Sequence, residues 1–67
     1  MRATYIGYNS YGFENGKDYY IQSKIQVVSV PFANVYKPKM CICIYNENGT
    51  NWTYYQSLEE VLSNWRF

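Results

Sequence analysis

The chain has 67 residues, which is enough for one domain and too few for a second core, so residues 1–67 are predicted to form a single domain. Its six basic and five acidic residues are scattered, which argues against both a strongly basic nucleic-acid-binding surface and an acidic mimic of DNA. No apolar stretch has the length of a signal peptide core or a membrane span, which predicts a cytoplasmic protein with no membrane partner.

The first third of the chain predicts two strands separated by a glycine-containing loop. Residues 2–8 alternate as an opening strand does, with Ala3 and Tyr5 on one face. The second strand follows Gly16 and also alternates. We expect the core to include Phe13, Tyr19 and Ile21, and Asp18 to point outward.

The middle of the chain, residues 23–39, is unusually apolar and predicts an extra hairpin. Its first half is rich in β-branched residues, and residues 31–34 have the composition of a turn. Because proline has no N–H to donate, Pro31 and Pro38 belong at strand ends or on a sheet edge. The segment has more apolar side chains than one face of a hairpin can bury, so we expect some to be exposed. They are Ile25, Val27, Val28, Val30, Phe32, Val35 and Tyr36.

A second hairpin is predicted between residues 40 and 56, centred on Asn48 and Gly49. This pair favours a two-residue type I′ turn, which requires positive φ at both positions. Such a turn fixes the register of the hairpin. It pairs Glu47 with Thr50, Tyr45 with Trp52, Cys43 with Tyr54 and Cys41 with Gln56. Ile42 and Ile44 then share the other face with Tyr55 and Thr53.

A short helix follows the hairpin. Ser57 and Glu60 have the spacing of a capping box, in which each side chain bonds to the backbone N–H of the other residue. Leu58, Val61, Leu62 and Trp65 then form one apolar stripe, which we expect to lie on the hairpin.

These elements define a mostly β fold with one C-terminal α-helix. We expect a small antiparallel SH3-like barrel, or a bent sheet, of four to five strands.

Two motifs carry a resemblance to a known group of proteins. They are Tyr5-Ile6-Gly7 and the stretch from Gly12 to Ile21, with Phe13, Gly16-Lys17 and Tyr19 at their spacings. With the closing hairpin and Ser-capped helix, these motifs resemble small SH3-like barrel proteins of phages and mobile elements in low-GC Gram-positive bacteria, most of them uncharacterised. The resemblance covers residues 2–22 and 40–65. It implies a fold and an origin, and it carries over no functional residue.

The sequence offers little for catalysis. There is no histidine, and none of the five carboxylates is paired by its spacing with a second one. Cys41 and Cys43 fall on one face of a strand, too close for an unstrained disulfide. We expect buried free thiols, with an intermolecular metal or disulfide bridge as the alternative. We therefore predict a protein that is not an enzyme and has no metal and no cofactor.

Nine tyrosines in so short a chain favour a binding function, because several must be exposed and tyrosine is common at interface hot spots. The 23–39 segment could form a satellite cluster packed on the barrel, but we favour an exposed hairpin or open strand edge that binds a second copy or a partner protein. The candidate partner-binding residues are Tyr8, Tyr11, Tyr20, Lys24, Phe32, Tyr36 and Arg66.

The functional prediction is a non-catalytic protein-binding module. The resemblance implies a phage protein that inhibits a host protein, such as a CRISPR-type defence effector, in the host cytoplasm. The alternative is a module that binds single-stranded nucleic acid. Exposed tyrosines would stack on bases, and Lys17, Lys24, Lys37 and Lys39 would contact phosphates. The low net charge makes this alternative the less favoured one.

Overall fold

The computed structural model describes all residues, 1–67, and confirms the predicted mostly β class with one short helix near the C-terminus. The elements are β1 (Arg2–Tyr5), β2 (Asp18–Phe32), β3 (Val35–Asn46), β4 (Trp52–Tyr55), α1 (Leu58–Asn64) and β5 (Trp65–Arg66). The opening strand ends at Tyr5, three residues earlier than the expected Tyr8.

The five strands form one antiparallel sheet with the order β4-β3-β2-β1-β5. Strand β2 has different partners along its length: Asp18 to Tyr20 pair with β1, and Ile21 to Phe32 pair with β3. The two-residue strand β5 begins directly after the helix and pairs with β1. This strand was not predicted, because two residues are too few to show alternation.

The main core lies between the sheet and the helix, around Trp65. Its indole ring lies 5.0 Å from the rings of Tyr5 and Phe13 and 6.0 Å from Tyr19. Phe13 and Ile21 are buried as predicted, and Tyr19 is half-buried against them. The rest of the cluster is Ala3, Ile44, Tyr55 and Val61, with Ile42 packed against it. Aromatic rings thus supply much of the buried surface of this small core.

The extra hairpin predicted for residues 23–39 is the outer part of one long β2–β3 hairpin. Its two-residue turn is Ala33-Asn34, closed by the pair Phe32 and Val35. Ala33 has φ 56°, the left-handed conformation that such turns require. Pro38 lies within β3, where that strand has no second neighbour, which agrees with the expected edge position.

The predicted type I′ turn at Asn48-Gly49 is wrong, although the predicted pairs of Tyr45 with Trp52 and Cys43 with Tyr54 are confirmed. Only Gly49 has positive φ, and the amide of Gly49 donates to the carbonyl of Asn46. The loop between β3 and β4 therefore spans residues 47–51, and the amide of Asn46 donates to the carbonyl of Asn51 across it. Glu47 and Thr50 lie in the loop, and β4 ends at Tyr55, so Cys41 and Gln56 do not pair.

Side chains explain this wider loop. The Asn48 Oδ1 accepts hydrogen bonds from the backbone and hydroxyl of Thr50, and the Asn46 Oδ1 accepts one from the amide of Asn51. Such local bonds compete with a tight turn. Because the bond from Asn46 to Asn51 is centred on Asn48 and Gly49, as the predicted turn is, the register is unchanged.

Of the two hydrogen bonds of the predicted capping box, one is present: the amide of Glu60 donates to the Ser57 hydroxyl at 3.2 Å. Of the predicted apolar stripe, Val61 and Trp65 are buried, whereas Leu58 and Leu62 are more than half exposed. The prediction for these two leucines was wrong, since seven helical residues lie over only part of the sheet.

Candidate partner-binding surface

The outer part of the β2–β3 hairpin extends beyond its neighbours in the sheet. Strand β1 pairs with β2 only at residues 18–20, and β4 pairs with β3 only at residues 42–45. Residues 24–41, here called the arm, form a two-stranded ribbon that the other strands cover only at its base. The molecule is accordingly elongated, measuring 34 Å by 21 Å by 20 Å.

One face of the arm is apolar and exposed. Ile25, Val27, Tyr36 and Met40 lie on the side of the ribbon that continues the core face of the sheet, because Ile25 is paired with Ile42 and Val27 with Met40. Between 60% and 74% of the surface of each is exposed. The remaining residues on this side are serines and prolines, so the face, here called the apolar arm face, carries no charge.

A cleft of about 170 Å³ lies at the base of the apolar arm face. It opens between the sheet and the helix and shares Ile42 with the root of the arm. Seven of its nine lining residues are hydrophobic: Met1, Ile21, Ile42, Ile44, Leu58, Val61 and Phe67. The exposed Leu58 forms part of its wall. Because Ile42 lines the cleft and is paired with Ile25 of the arm, the arm face and the cleft make one continuous apolar surface.

The opposite face of the arm is basic and aromatic. Lys24, Lys37 and Lys39 all lie there, since the register pairs them with Cys43, Val30 and Val28. The Nζ of Lys24 lies 5.4 Å from the centre of the Tyr45 ring, and the Nζ of Lys37 lies 4.6 Å from that of Phe32. None of the three lysines forms a salt bridge. We call this side the basic arm face.

The aromatic part of the basic arm face is a stack of rings at its base. The rings of Tyr45 and Trp52 lie 5.6 Å apart and are inclined by only 19°, and Tyr54 lies beside Trp52 at 6.4 Å. Gln26 holds the Tyr45 hydroxyl with a hydrogen bond of 2.7 Å. The stack is therefore fixed to the arm and is partly open to solvent through Trp52.

A small second core stiffens the arm beneath the basic face. It consists of Val30, Cys41 and Cys43, packed against Val28, Tyr45 and Tyr54. Both cysteines are free and buried, as predicted. Burial raises the pKa of the Cys43 thiol above its usual value, and the neighbouring Cys41 raises it further. Both effects keep this thiol protonated and unreactive.

Charge is distributed unevenly between the arm and the rest of the protein. Between Asp18 and Glu47 the chain contains three lysines and no acidic residue. The remainder contains three basic and five acidic residues. The near-neutral total thus combines a positive arm with a negative body, so the expectation of scattered charges was wrong.

All seven candidate residues of the sequence analysis are exposed, but they do not form one site. Tyr8 and Tyr11 lie in the loop between β1 and β2, and Tyr20 and Arg66 lie on the outer side of the sheet near β1. The arm carries the other three: Lys24 and Phe32 belong to the basic arm face, and Tyr36 belongs to the apolar arm face.

Arg66 lies beside a polar cluster around Asp18. The Asp18 carboxylate accepts hydrogen bonds from the Thr4 hydroxyl at 2.5 Å and from Arg2 at 2.8 Å. The bond from Thr4, and then that from Arg2, lowers the pKa of this carboxyl below its usual value. The cluster confirms the outward position of Asp18 and stabilises the β1–β2 pair.

Three surface residues were missed as site candidates: Ile25, Val27 and Met40. The signal that identifies them is the alternation of side chains along the arm combined with its register, which puts all three on one face. The cleft could not have been found in this way, because it depends on where the helix lies on the sheet.

No group of three or more histidine, cysteine, aspartate or glutamate side chains is arranged to hold a metal ion. No helix of the protein combines the length and the hydropathy that crossing a membrane would require. Comparisons with protein-family models, with curated proteins and with solved structures find no match to this chain.

Proposed function

We propose that the protein is a non-catalytic binding module that holds a partner protein with its arm. The observation that carries this proposal is the apolar arm face, which is uncharged, more than half exposed and continuous with the apolar cleft. An exposed apolar surface that continues from one element to the next is typical of an interaction site in a small domain.

The shape of this surface supports a protein as the ligand. The cleft offers a pocket for one large apolar side chain of the partner, and the arm offers a flat strip beside it. Interfaces commonly have this arrangement, in which an anchor side chain fills a pocket and neighbouring contacts exclude water. Tyr36, with 74% of its surface exposed near the tip of the arm, supplies an anchor directed toward the partner.

The resemblance to small phage proteins supports a more specific version of this proposal. In it the partner is a host protein in the bacterial cytoplasm, such as a CRISPR-type defence effector, and binding of the arm inhibits it by covering a working surface. This version rests on the resemblance, whereas the binding role of the arm rests on its exposed faces.

The binding role is tested by affinity capture from a bacterial lysate with matched tyrosine variants. Tyr36→Ala, alone and with Met40→Ala, should remove the captured protein, because both side chains belong to the apolar arm face. Tyr8→Ala is the control, since Tyr8 is even more exposed, at 94%, and lies in a different part of the surface. Equal capture by the Tyr36→Ala/Met40→Ala variant and by the control would reject the arm as the binding element.

A second candidate, single-stranded nucleic acid, is favoured by the basic arm face. Lys24 lies against the Tyr45–Trp52 stack, Lys37 lies against Phe32 near the tip of the arm, and Lys39 lies between them on the same face. Such a combination can contact phosphates and stack on bases. Neutralising three phosphates of a single strand gives a slope of about −2 for log K against log salt concentration. A titration with an oligothymidylate at several salt concentrations tests this, and Lys24→Gln should make the slope shallower.

A further inference from the structure

The edge of β2 along the arm has free hydrogen-bonding groups. The amide of Ile21 donates to the carbonyl of Met1, so the backbone groups of Ile21 point away from β3. Backbone direction alternates along an antiparallel strand. The amides and carbonyls of Ser23, Ile25, Val27 and Ser29 therefore point the same way, where no strand is paired with them.

The two edges of the arm differ in how well they are protected. On β3, Pro38 lies four residues from Ile42, so its backbone faces the same way as that of Ile42, which is away from β2. Because proline has no N–H, this free edge lacks a donor at that position. On β2, the first proline is Pro31, next to the turn. Residues 22–30 of β2 thus form an open edge with an unbroken set of donors and acceptors, and no charged side chain points to its apolar side.

A strand added to this edge would have a different environment on each side. Its side chains on one side would extend the apolar arm face beside Ile25 and Val27. Those on the other side would extend the basic arm face beside Lys24, with Lys39 one strand further away. Because side chains alternate along a strand, the best complement has apolar and acidic residues in alternation.

We propose that the β2 edge of the arm, residues 22–30, binds an extended segment of a partner protein in which acidic and apolar residues alternate. This inference rests on the proposed protein-binding function and specifies the partner's chemistry. The segment adds as an extra strand, its backbone bonded to Ser23, Ile25, Val27 and Ser29. Its carboxylates contact Lys24 and are attracted by Lys37 and Lys39 on the next strand, because these three lysines have no acidic neighbour within the arm.

A second copy of the chain fits this edge less well. Pairing two arms would bring together two ribbons that each carry three lysines and no acidic residue. Like charges in adjoining strands oppose such pairing. The unpaired positive charge of the arm therefore selects an acidic partner over self-association.

The test uses capped peptides of about ten residues, the length of a long strand. One alternates glutamate with valine, a second alternates lysine with valine, and a third has the composition of the first with its glutamates and valines in separate blocks. Each is titrated into ¹⁵N-labelled protein, and the amide shifts of the arm are followed. We expect only the alternating acidic peptide to bind, with the largest shifts from Ser23 to Ser29.

Two variants test the backbone contact. Val27→Pro removes an outward amide without removing a bond to β3, and Val27→Ala is its control. If the proline variant unfolds, an ester bond between Gln26 and Val27, introduced by synthesis with ligation at Met40-Cys41, deletes the same donor and keeps the side chain. Val27→Pro should weaken binding about tenfold or more relative to Val27→Ala, and the ester should weaken it by a similar factor relative to the wild type.

The charge contact is tested by reversing Lys24, Lys37 and Lys39 to glutamate. The reversed protein should lose the acidic peptide and bind the lysine–valine peptide instead. Equal binding of the block peptide, or no effect of the ester, would overturn strand addition. Binding of an oligothymidylate that is tighter than binding of the acidic peptide would also overturn the proposal. The same holds if the wild type sediments as a dimer and Val27→Pro abolishes that dimer.

The outcome for this inference is separate from that for the proposed function. A partner protein that is lost with Tyr36→Ala/Met40→Ala but retained by the ester variant would leave the binding role intact and reject only the added strand.

Discussion

The indole Nε1 of Trp65 donates a hydrogen bond of 3.0 Å to the hydroxyl of Tyr55, and both side chains are buried. Trp65 begins β5 and Tyr55 ends β4, which are the two outermost strands of the sheet. The bond therefore links the two edges through the core and requires the sheet to bend around it. The arm extends past this bent region because neither β1 nor β4 is paired with it.

Replacing Tyr55 by phenylalanine should lower the free energy of unfolding by about 1–3 kcal/mol, because it leaves the buried N–H of Trp65 without an acceptor. Urea denaturation followed by tryptophan fluorescence measures the change. Tyr20→Phe is the control, since the Tyr20 ring is exposed. Equal effects of the two substitutions would mean that the bond contributes nothing to stability.

Stability should also fall at high pH because of Tyr55. Burial raises the pKa of Tyr55 to about 12, against about 10 in the unfolded chain. A pKa raised by folding gives stability that is complete below pH 10 and is lost as pH rises toward 12. Denaturation curves between about pH 9 and pH 12 should show a steeper loss for the wild type than for Tyr55→Phe. If the wild type and Tyr55→Phe lost stability equally over this range, a tyrosine other than Tyr55 would be responsible.

Replacing Ala33 by glycine at the tip of the arm should stabilise the protein by about 0.5–1 kcal/mol, since alanine is strained at positive φ. Thermal unfolding measures the gain. The opposite kind of change, Gly16→Ala, is the matched test and should destabilise the protein. Gly16 has φ +86° and no atom near the position of a Cβ, so alanine there adds only backbone strain. A destabilised Ala33→Gly protein would contradict the assigned turn.

The two thiols should not react with Ellman's reagent in the native protein. Cys41 and Cys43 have 1% or less of their surface exposed, and burial raises the pKa of Cys43. Both should react at once in denaturant, and the native rate should follow opening of the arm. Rapid reaction of one thiol without denaturant would show that the second core of the arm is not formed.

Much of the fold followed from local patterns. Alternation predicted that Ile21 enters the core, and the place of Phe13 beside a glycine turn predicted the same for that residue. The turn region at Asn48-Gly49 predicted the pairing of Tyr45 with Trp52. The turn itself was wrong, because the side chains of Asn46 and Asn48 bond to the loop backbone. Propensity rules for residue pairs do not include such bonds.

The binding surface was harder to predict, since it depends on how far each strand extends beside its neighbour. The sequence indicated that some apolar residues of 23–39 are exposed, which is confirmed. It could not show that β1 and β4 leave the arm uncovered, or that Leu58 lines a cleft beside it. These features arise from contacts between distant parts of the chain, as does the separation of the lysines from Ile25 and Val27 onto opposite faces.

The central claim is that the arm is the binding element. Its most direct test is amide hydrogen exchange of the protein, free and bound to the partner captured from the lysate, read residue by residue. We expect new protection within residues 22–41, strongest at Ser23, Ile25, Val27 and Ser29, whose amides have no partner in the free protein. Protection confined to the loop that carries Tyr8 and Tyr11, with no change on the arm, would contradict the claim.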